Sequence, residues 1–225
     1  PLQGTVARRM WDACAATYAV TADFITPMAA VAGAVAESLC AVYAVRGVAR
    51  AYVNNGRDIP LHLQPQAEWR VGVVADIART RAAHGPALDG HFTVRGTDAV
   101  RGIATSGWRG RSHSLGIADA VTVLAASPPQ ADAAATLIAN AVNVDDPRIR
   151  RAPACALRDD SDLGERLVTV DVPALSAHAV DRALQAGAVM ARRLQAAGLV
   201  HAAVLVCQKR QAVLQPLPTA LPAAA

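Results

Sequence analysis

Apolar residues recur at helical spacing from Thr5 to Val20, through Met10, Cys14 and Tyr18, and predict a first helix. Thr26-Pro27 then offers an N-cap followed by Pro at the first helical position, and the run MAAVAGAVAESLCAVYAV carries a second helix to about Val45. Its Ala and Gly content lets another backbone pack closely, and its N-terminus presents free N–H groups. Arg50 to Val53 reads as a short strand ending at Asn54-Asn55-Gly56, and Trp69 to Asp76 alternates as a second one. Pro60 and Pro65 between them predict an irregular turn or a sheet edge. Arg79 to Gly90 has no periodicity and is expected to be a surface loop. Phe92 to Val94 and Val100 to Ala104 read as strands, with a break at Thr105-Ser106-Gly107.

Ala120 to Ala126 is a buried strand by its apolar run, and Pro128-Pro129 stops it before a helix from Gln130 to about Val142. The polar, charge-rich stretch 145–164 is expected to be a linker or mobile loop. A strand (Leu167 to Val172), a helix (Ser176 to Ala197), a hairpin of His201 to Gln208 with Ala212 to Gln215, and a frayed tail LPTALPAAA complete the chain. Strands broken by helices at uneven intervals predict an α+β fold with one domain over residues 1–225, not a doubly wound sheet.

The 225 residues are 53% hydrophobic, enough to bury a sizeable core. The uncharged run from Phe24 to Ala36 is too short for a bilayer and reads as a buried helix, so no membrane association is expected and the protein is expected to be cytoplasmic. The chain opens at Pro1 without Met, which suggests trimming or a missing earlier segment. The net charge of +4 comes from Arg scattered along the chain and the single Lys209, without a basic stripe, which argues against nucleic acid as a partner. Cys14, Cys40, Cys155 and Cys207 lie far apart with no zinc-ligand spacing and are expected to be reduced and structural.

Chemistry concentrates between Gly102 and Asn140. The ten residues TSGWRGRSHS place the hydroxyls of Thr105, Ser106, Ser112 and Ser114 beside Arg109, Arg111 and His113, with two glycines that permit turns exposing N–H groups. This composition suits an anion or phosphate pocket, although an exposed polar hairpin would also use it. His113 is a candidate for moving a proton near neutral pH, or a hydrogen-bonded structural group. Asp132 and Thr136, four apart on a predicted helix, share a face and supply hard oxygens for Mg²⁺ or Ca²⁺; a dipole-stabilising Asp and a back-bonded Thr explain the pattern equally well. Asn54, Asn55, Arg57 and Asp58 sit where a strand end turns sharply, and either reach a ligand or close the turn.

Four blocks in order, TPMAAVAGAVAE, YVNNGRDI, GIATSGWRGRSHSLGIADAVTVL and ADAAATLIAN, resemble the ApbE-like superfamily, closest to its branch of hypothetical proteins. The resemblance covers roughly Ala22 to Val144 and implies an ApbE-like, T-fold-related antiparallel sheet packed with helices. Typical members are Mg²⁺-dependent transferases that cleave FAD and attach FMN to a protein Thr. By that resemblance Asp132 and Thr136 match metal ligands, Ser106 the serine beside the nucleotide, and His113 the histidine of the catalytic loop. The family lysine is absent from Ala32-Gly33-Ala34, and the N-x-G-G turn has become Asn55-Gly56-Arg57. These departures point away from FMN transfer and toward another transferase- or hydrolase-type reaction on a phosphorylated, carboxylated, flavin-like or pterin-like small molecule. The branch also implies a link to tetrahydromethanopterin one-carbon metabolism. A non-catalytic flavin- or pterin-binding module, and a homo-oligomer packed through the small-residue helices, are the other readings.

Overall fold

The computed structural model describes residues 2–73 and 90–217. Helices α1 (Thr5–Thr21) and α2 (Val31–Cys40) are followed by strands β1 (Arg50–Tyr52), β2 (Ile59–Leu63), β3 (Glu68–Val73), β4 (Gly90–Arg95), β5 (Gly102–Ser106) and β6 (Ala120–Ala125). Then come α3 (Pro128–Ala141), β7 (Arg150–Pro153), α4 (Ala154–Leu157), β8 (Leu167–Asp171), α5 (Ala177–Ala196), β9 (Ala202–Cys207) and β10 (Arg210–Leu214). Six strands form one antiparallel sheet in the order β1-β2-β5-β6-β9-β10, and β3-β4 and β7-β8 form two hairpins. The fold is α+β, a large antiparallel sheet packed with helices.

All six residues of β6 are buried because both faces of that strand are covered. Val121, Val123 and Ala125 point to one side, where they join Ile138 of α3 and Leu184 and Leu194 of α5. Leu124 points to the other, joining Ile103 and, from the β4 hairpin, Val94. At about 1.5–3 kcal/mol for each fully buried Val, Leu or Ile, a one-residue slip of β6 would exchange the two clusters and lose both, which pins the register Val123↔Ala104. Helix α5 buries Val180, Ala183, Leu184, Gly187, Ala191 and Leu194 at helical spacing, and the Ser176 hydroxyl caps it by accepting from the Ala179 N–H.

Small residues set the position of α3. A side chain on Gly33 of α2 would meet the Pro128 carbonyl oxygen at 2.5 Å, and one on Gly102 of β5 would run into Ser127 and Pro128. The start of α3 is therefore pressed between a helix and a strand that come to backbone contact. Pro128 and Pro129 occupy the first turn of α3, where no N–H is needed, instead of preceding it.

Several expectations are corrected. The second helix is cut to Val31–Cys40 and flanked by single 3-10 turns at Pro27–Ala30 and Ala41–Tyr43. Thr26 does not cap it, because its hydroxyl donates to the Asp162 carboxylate instead. Helix α1 buries Ala13, Cys14, Thr17 and Thr21 while Tyr18 is exposed, since close contact with its neighbours favours its small residues. Pro60 lies in a strand inside the sheet: it faces Gly102 of β5, and β1 has already ended on its other side, so its missing N–H breaks no ladder. Thr105 and Ser106 continue β5, and the break comes at Gly107. The stretch 145–164 contains β7 and α4, because β7 pairs with β8 and folds the segment back on the body. The expected strand 69–76 is seen as far as Val73; its remainder, most of the loop 79–90 and residues 218–225 of the tail lie outside the described residues. Among the described residues no helix is long and apolar enough to cross a membrane.

Replacing Gly33 by Ala gains helix propensity but places a methyl against the Pro128 carbonyl. The expected net result is a loss of about 1–3 kcal/mol in chemical denaturation, the usual cost of overpacking; a gain would show that α2 and α3 are free to separate.

Candidate functional site

Helix α3 presents Asp132, Thr136 and Asn140 at intervals of four, one stripe along the wall of a cavity of about 340 Å³. Each is held or left free in a different way. The Asp132 carboxylate accepts from the Gly33 N–H at 3.0 Å, satisfying an amide that the first turn of α2 cannot pair internally. Asn140 Oδ1 accepts from the Leu115 N–H at 2.9 Å and the Ser114 hydroxyl at 3.2 Å, which ties down the loop carrying His113. Thr17 and Thr21 spend their hydroxyls on carbonyls of their own helix; among the described residues Thr136 makes no such bond and lines the cavity.

The opposite wall is the turn between β1 and β2. Asn55 and Asp58 exchange backbone hydrogen bonds of 3.0 and 3.4 Å across Gly56 and Arg57, whose φ values of 68° and 91° are the positive pair of a type I′ turn. Gly56 adopts this freely; Arg57 does so at a cost of about 1–3 kcal/mol. Asn54 Oδ1 accepts from the Arg57 N–H, and Asn55 Nδ2 donates to the Ala32 carbonyl. Both amides close and dock the turn, and neither lines the cavity.

The turn interlocks with the loop after β5. The Arg111 guanidinium fills the space a Gly56 side chain would take, and the Arg57 guanidinium lies over Gly110. Two guanidiniums thus stand together at the cavity, and among the described residues neither enters an ion pair or hydrogen bond. Burial lowers the pKa of Arg57, Asp58 offsets part of this and Arg111 adds to it. Thr105, Ser106, Ser112 and His113 line the same space. Thr105 shares a 2.9 Å hydroxyl bond with Thr122, and His113 Nε2 is buried without a hydrogen-bond partner. The Thr169 N–H donates to the Ser114 carbonyl, so the β7-β8 hairpin braces this loop.

Arg109 is not part of the site. Its guanidinium pairs with Asp119 at 2.7 Å and lies over the Trp108 ring, away from the cavity. Sequence reasoning missed Asn140, whose spacing from Asp132 and Thr136 was readable, and the wall formed by Arg158 and residues 160–163, which depends on the β7-β8 pairing.

Two carboxylates dominate the electrostatics. Asp58 is 93% buried by its 7% exposure, and its Oδ1 has no hydrogen-bond partner. Burial raises its pKa, the charge of Asp132 raises it further, and Arg57 and Arg111 pull it back. Burial likewise raises Asp132, against the lowering effect of the Gly33 and Ala32 amides. Asp132 and Thr136 are hard oxygen donors one helical turn apart, and the unpartnered Asp58 oxygen belongs to a residue lining the same cavity. Among the described residues no group of three His, Cys, Asp or Glu side chains could hold a metal by itself.

The chain belongs to the family whose model is described as AbpE bacteria, which matches residues 1–214. Among curated proteins it is similar to the UPF0280 protein of Methanosphaerula palustris, with 39% identity over 119 residues, 52% of this chain and 47% of the relative. It is 37% identical over 151 residues to the UPF0280 protein of Methanopyrus kandleri, covering 65% of this chain and 56% of that one. The UPF0280 protein of Methanoculleus marisnigri matches at 37% over 125 residues, 54% and 47% of the two chains. The chain spans about half the length of the curated relatives it matches.

The raised carboxyl pKa values set a pH dependence. A proton bound more tightly in the folded than in the unfolded state favours folding at low pH. Below about pH 4 both states are protonated at these groups and the penalty is absent; it grows as pH rises above that and is complete once pH passes the folded values of about 7 for Asp132 and about 8 for Asp58. Stability of the metal-free protein is therefore expected to fall between about pH 4 and about pH 8, and Asp58→Asn should flatten that slope in denaturant titrations. An unchanged slope would show that Asp58 ionises normally.

Proposed function

We propose that the cavity binds a small phosphorylated or carboxylated molecule, and that the protein is an enzyme of transferase or hydrolase type acting on it. The observation that carries this reading is the pair Arg57 and Arg111. Two neighbouring guanidiniums that make no ion pair or hydrogen bond among the described residues suit a bidentate anion site, and Arg57 is kept in a strained backbone conformation that glycine would adopt without cost. The hydroxyls of Ser106 and Ser112 add donors around the same space. His113, with its buried Nε2 unpartnered, is the candidate acid or base.

The likeness of the TSG and ADAAAT segments to FAD:protein FMN transferases supports a flavin- or pterin-like ligand and a Mg²⁺ ion held by Asp132 and Thr136. Bound there, such an ion would neutralise negative charge on phosphoryl or carboxyl oxygens. Asp132 orients through the Gly33 amide, and Arg57 and Arg111 fix the anion across the cavity. The missing lysine beside Gly33 and the arginine in the glycine position of the turn favour a reaction other than FMN transfer.

The test is binding and turnover with FAD, FMN, a reduced pterin and inorganic pyrophosphate, each with MgCl₂, followed by calorimetry and mass spectrometry of products. Arg111→Met should weaken binding roughly ten- to a hundredfold, the loss of one charge-assisted contact. His113→Ala should keep the fold and the affinity while lowering turnover by roughly 10²- to 10⁴-fold. Unaltered turnover would remove His113 from the chemistry, and binding without any turnover would make the protein a carrier. Affinity for these anions unchanged in Arg111→Met and in Arg57→Met would overturn the reading.

A further inference from the structure

We infer that Asp58 is a second carboxylate ligand for a divalent cation, completing with Asp132 and Thr136 a site shared between protein oxygens and the oxygens of an anionic ligand. This rests on the proposed reading that a metal sits at Asp132 and Thr136, and adds a residue from a different element. Asp58 stands on the β1-β2 turn, Asp132 and Thr136 on α3, and all three line the same cavity.

A carboxylate with 7% exposure and an oxygen without any partner is unfavourable unless something positive reaches it. The neighbouring arginines compensate only in part: their charges pull the Asp58 pKa back, but among the described residues neither forms an ion pair or hydrogen bond with it, and the Arg57 and Arg111 guanidiniums lie over Gly110 and Gly56. The other neighbour is a second carboxylate, Asp132, which worsens the balance. One divalent ion between the two removes both penalties.

The donor set selects the class of ion. Two carboxylates and a hydroxyl are hard oxygens, suited to Mg²⁺ or Mn²⁺, which are commonly bound by one or two carboxylates together with substrate phosphates. The protein supplies too few charged ligands to close the shell alone, and Arg57 and Arg111 hold an anion beside it. The ion and the anion should therefore bind better together than apart.

The experiment uses Mn²⁺ alone as the probe, measured by electron paramagnetic resonance on the full chain, with thermal melts of the metal-free forms as a control for folding. Wild-type protein should bind one Mn²⁺. Asp58→Asn should weaken that binding at least tenfold, as Asp132→Asn should, while its metal-free melting temperature stays equal or rises because a buried charge has gone. Asp58→Ser serves where the Asn variant fails to fold, with the same expectation. Wild-type affinity in folded Asp58 variants, with loss in Asp132→Asn, overturns the role of Asp58 and leaves the Asp132 site standing. No Mn²⁺ binding by the wild type, or binding unchanged in both Asp58 and Asp132 variants, overturns the shared site and the metal reading together.

Discussion

The start of α3 is held where side chains are smallest. Gly33 and Gly102 let a helix and a strand reach the backbone at Ser127-Pro128-Pro129, and that approach puts the Asp132 carboxylate on the Gly33 amide. From this contact the rest of the cavity follows by helical geometry. Thr136 and Asn140 lie one and two turns further along the same stripe, and Asn140 holds the loop with His113. Asn55 grips the neighbouring Ala32 carbonyl, so the turn bearing Arg57 and Asp58 is referred to the same short segment of α2. One close-packed junction positions charged groups from three separate elements.

Those groups are costly to the fold. Asp58 and Asp132 are held above the usual carboxylate range by burial, two guanidiniums stand side by side, and Arg57 occupies a left-handed conformation. A protein selected only for stability would place glycine at position 57 and apolar residues at 58 and 132. Unfavourable electrostatics and backbone strain gathered in one cavity are what a binding or catalytic site requires, with compensation arriving from the ligand. Acidic and basic groups share the cavity, Arg57 and Asp58 side by side on one turn, with carboxylates to meet a cation and guanidiniums to meet an anion.

Elements with a strong local pattern were legible in the sequence. The apolar run of β6, the amphipathic α5 with Ser176 before it, and the β9-β10 hairpin all form where periodicity and turn chemistry place them. Features that depend on distant partners were not. Pro60 sits inside a sheet because β1 stops short of it, and the polar stretch 145–164 contains β7 because β8 lies fourteen residues beyond its own end to pair with it. At the site, residue types alone could not separate Arg111, which faces the cavity, from Arg109, which pairs with Asp119. Nor could they separate Asn54 and Asn55, which build the turn, from Asp58, which the turn delivers. The i, i+4 spacing of Asp132 and Thr136 was readable, and extending it by one more turn reaches Asn140.

Membership in the AbpE bacteria family, over residues 1–214, places this arrangement among proteins whose archaeal relatives carry no stated activity in their names. The cavity of mixed charge is the feature to examine in them. A crystal grown with Mn²⁺ and inorganic pyrophosphate, with the ion located by its anomalous scattering, would decide whether the carboxylates and guanidiniums work together. The expected result is one Mn²⁺ at roughly 2.1 Å from oxygens of both Asp58 and Asp132, with pyrophosphate oxygens on Arg57 and Arg111. An ion held elsewhere while both carboxylates stay free, or pyrophosphate seated away from the two guanidiniums, would contradict it.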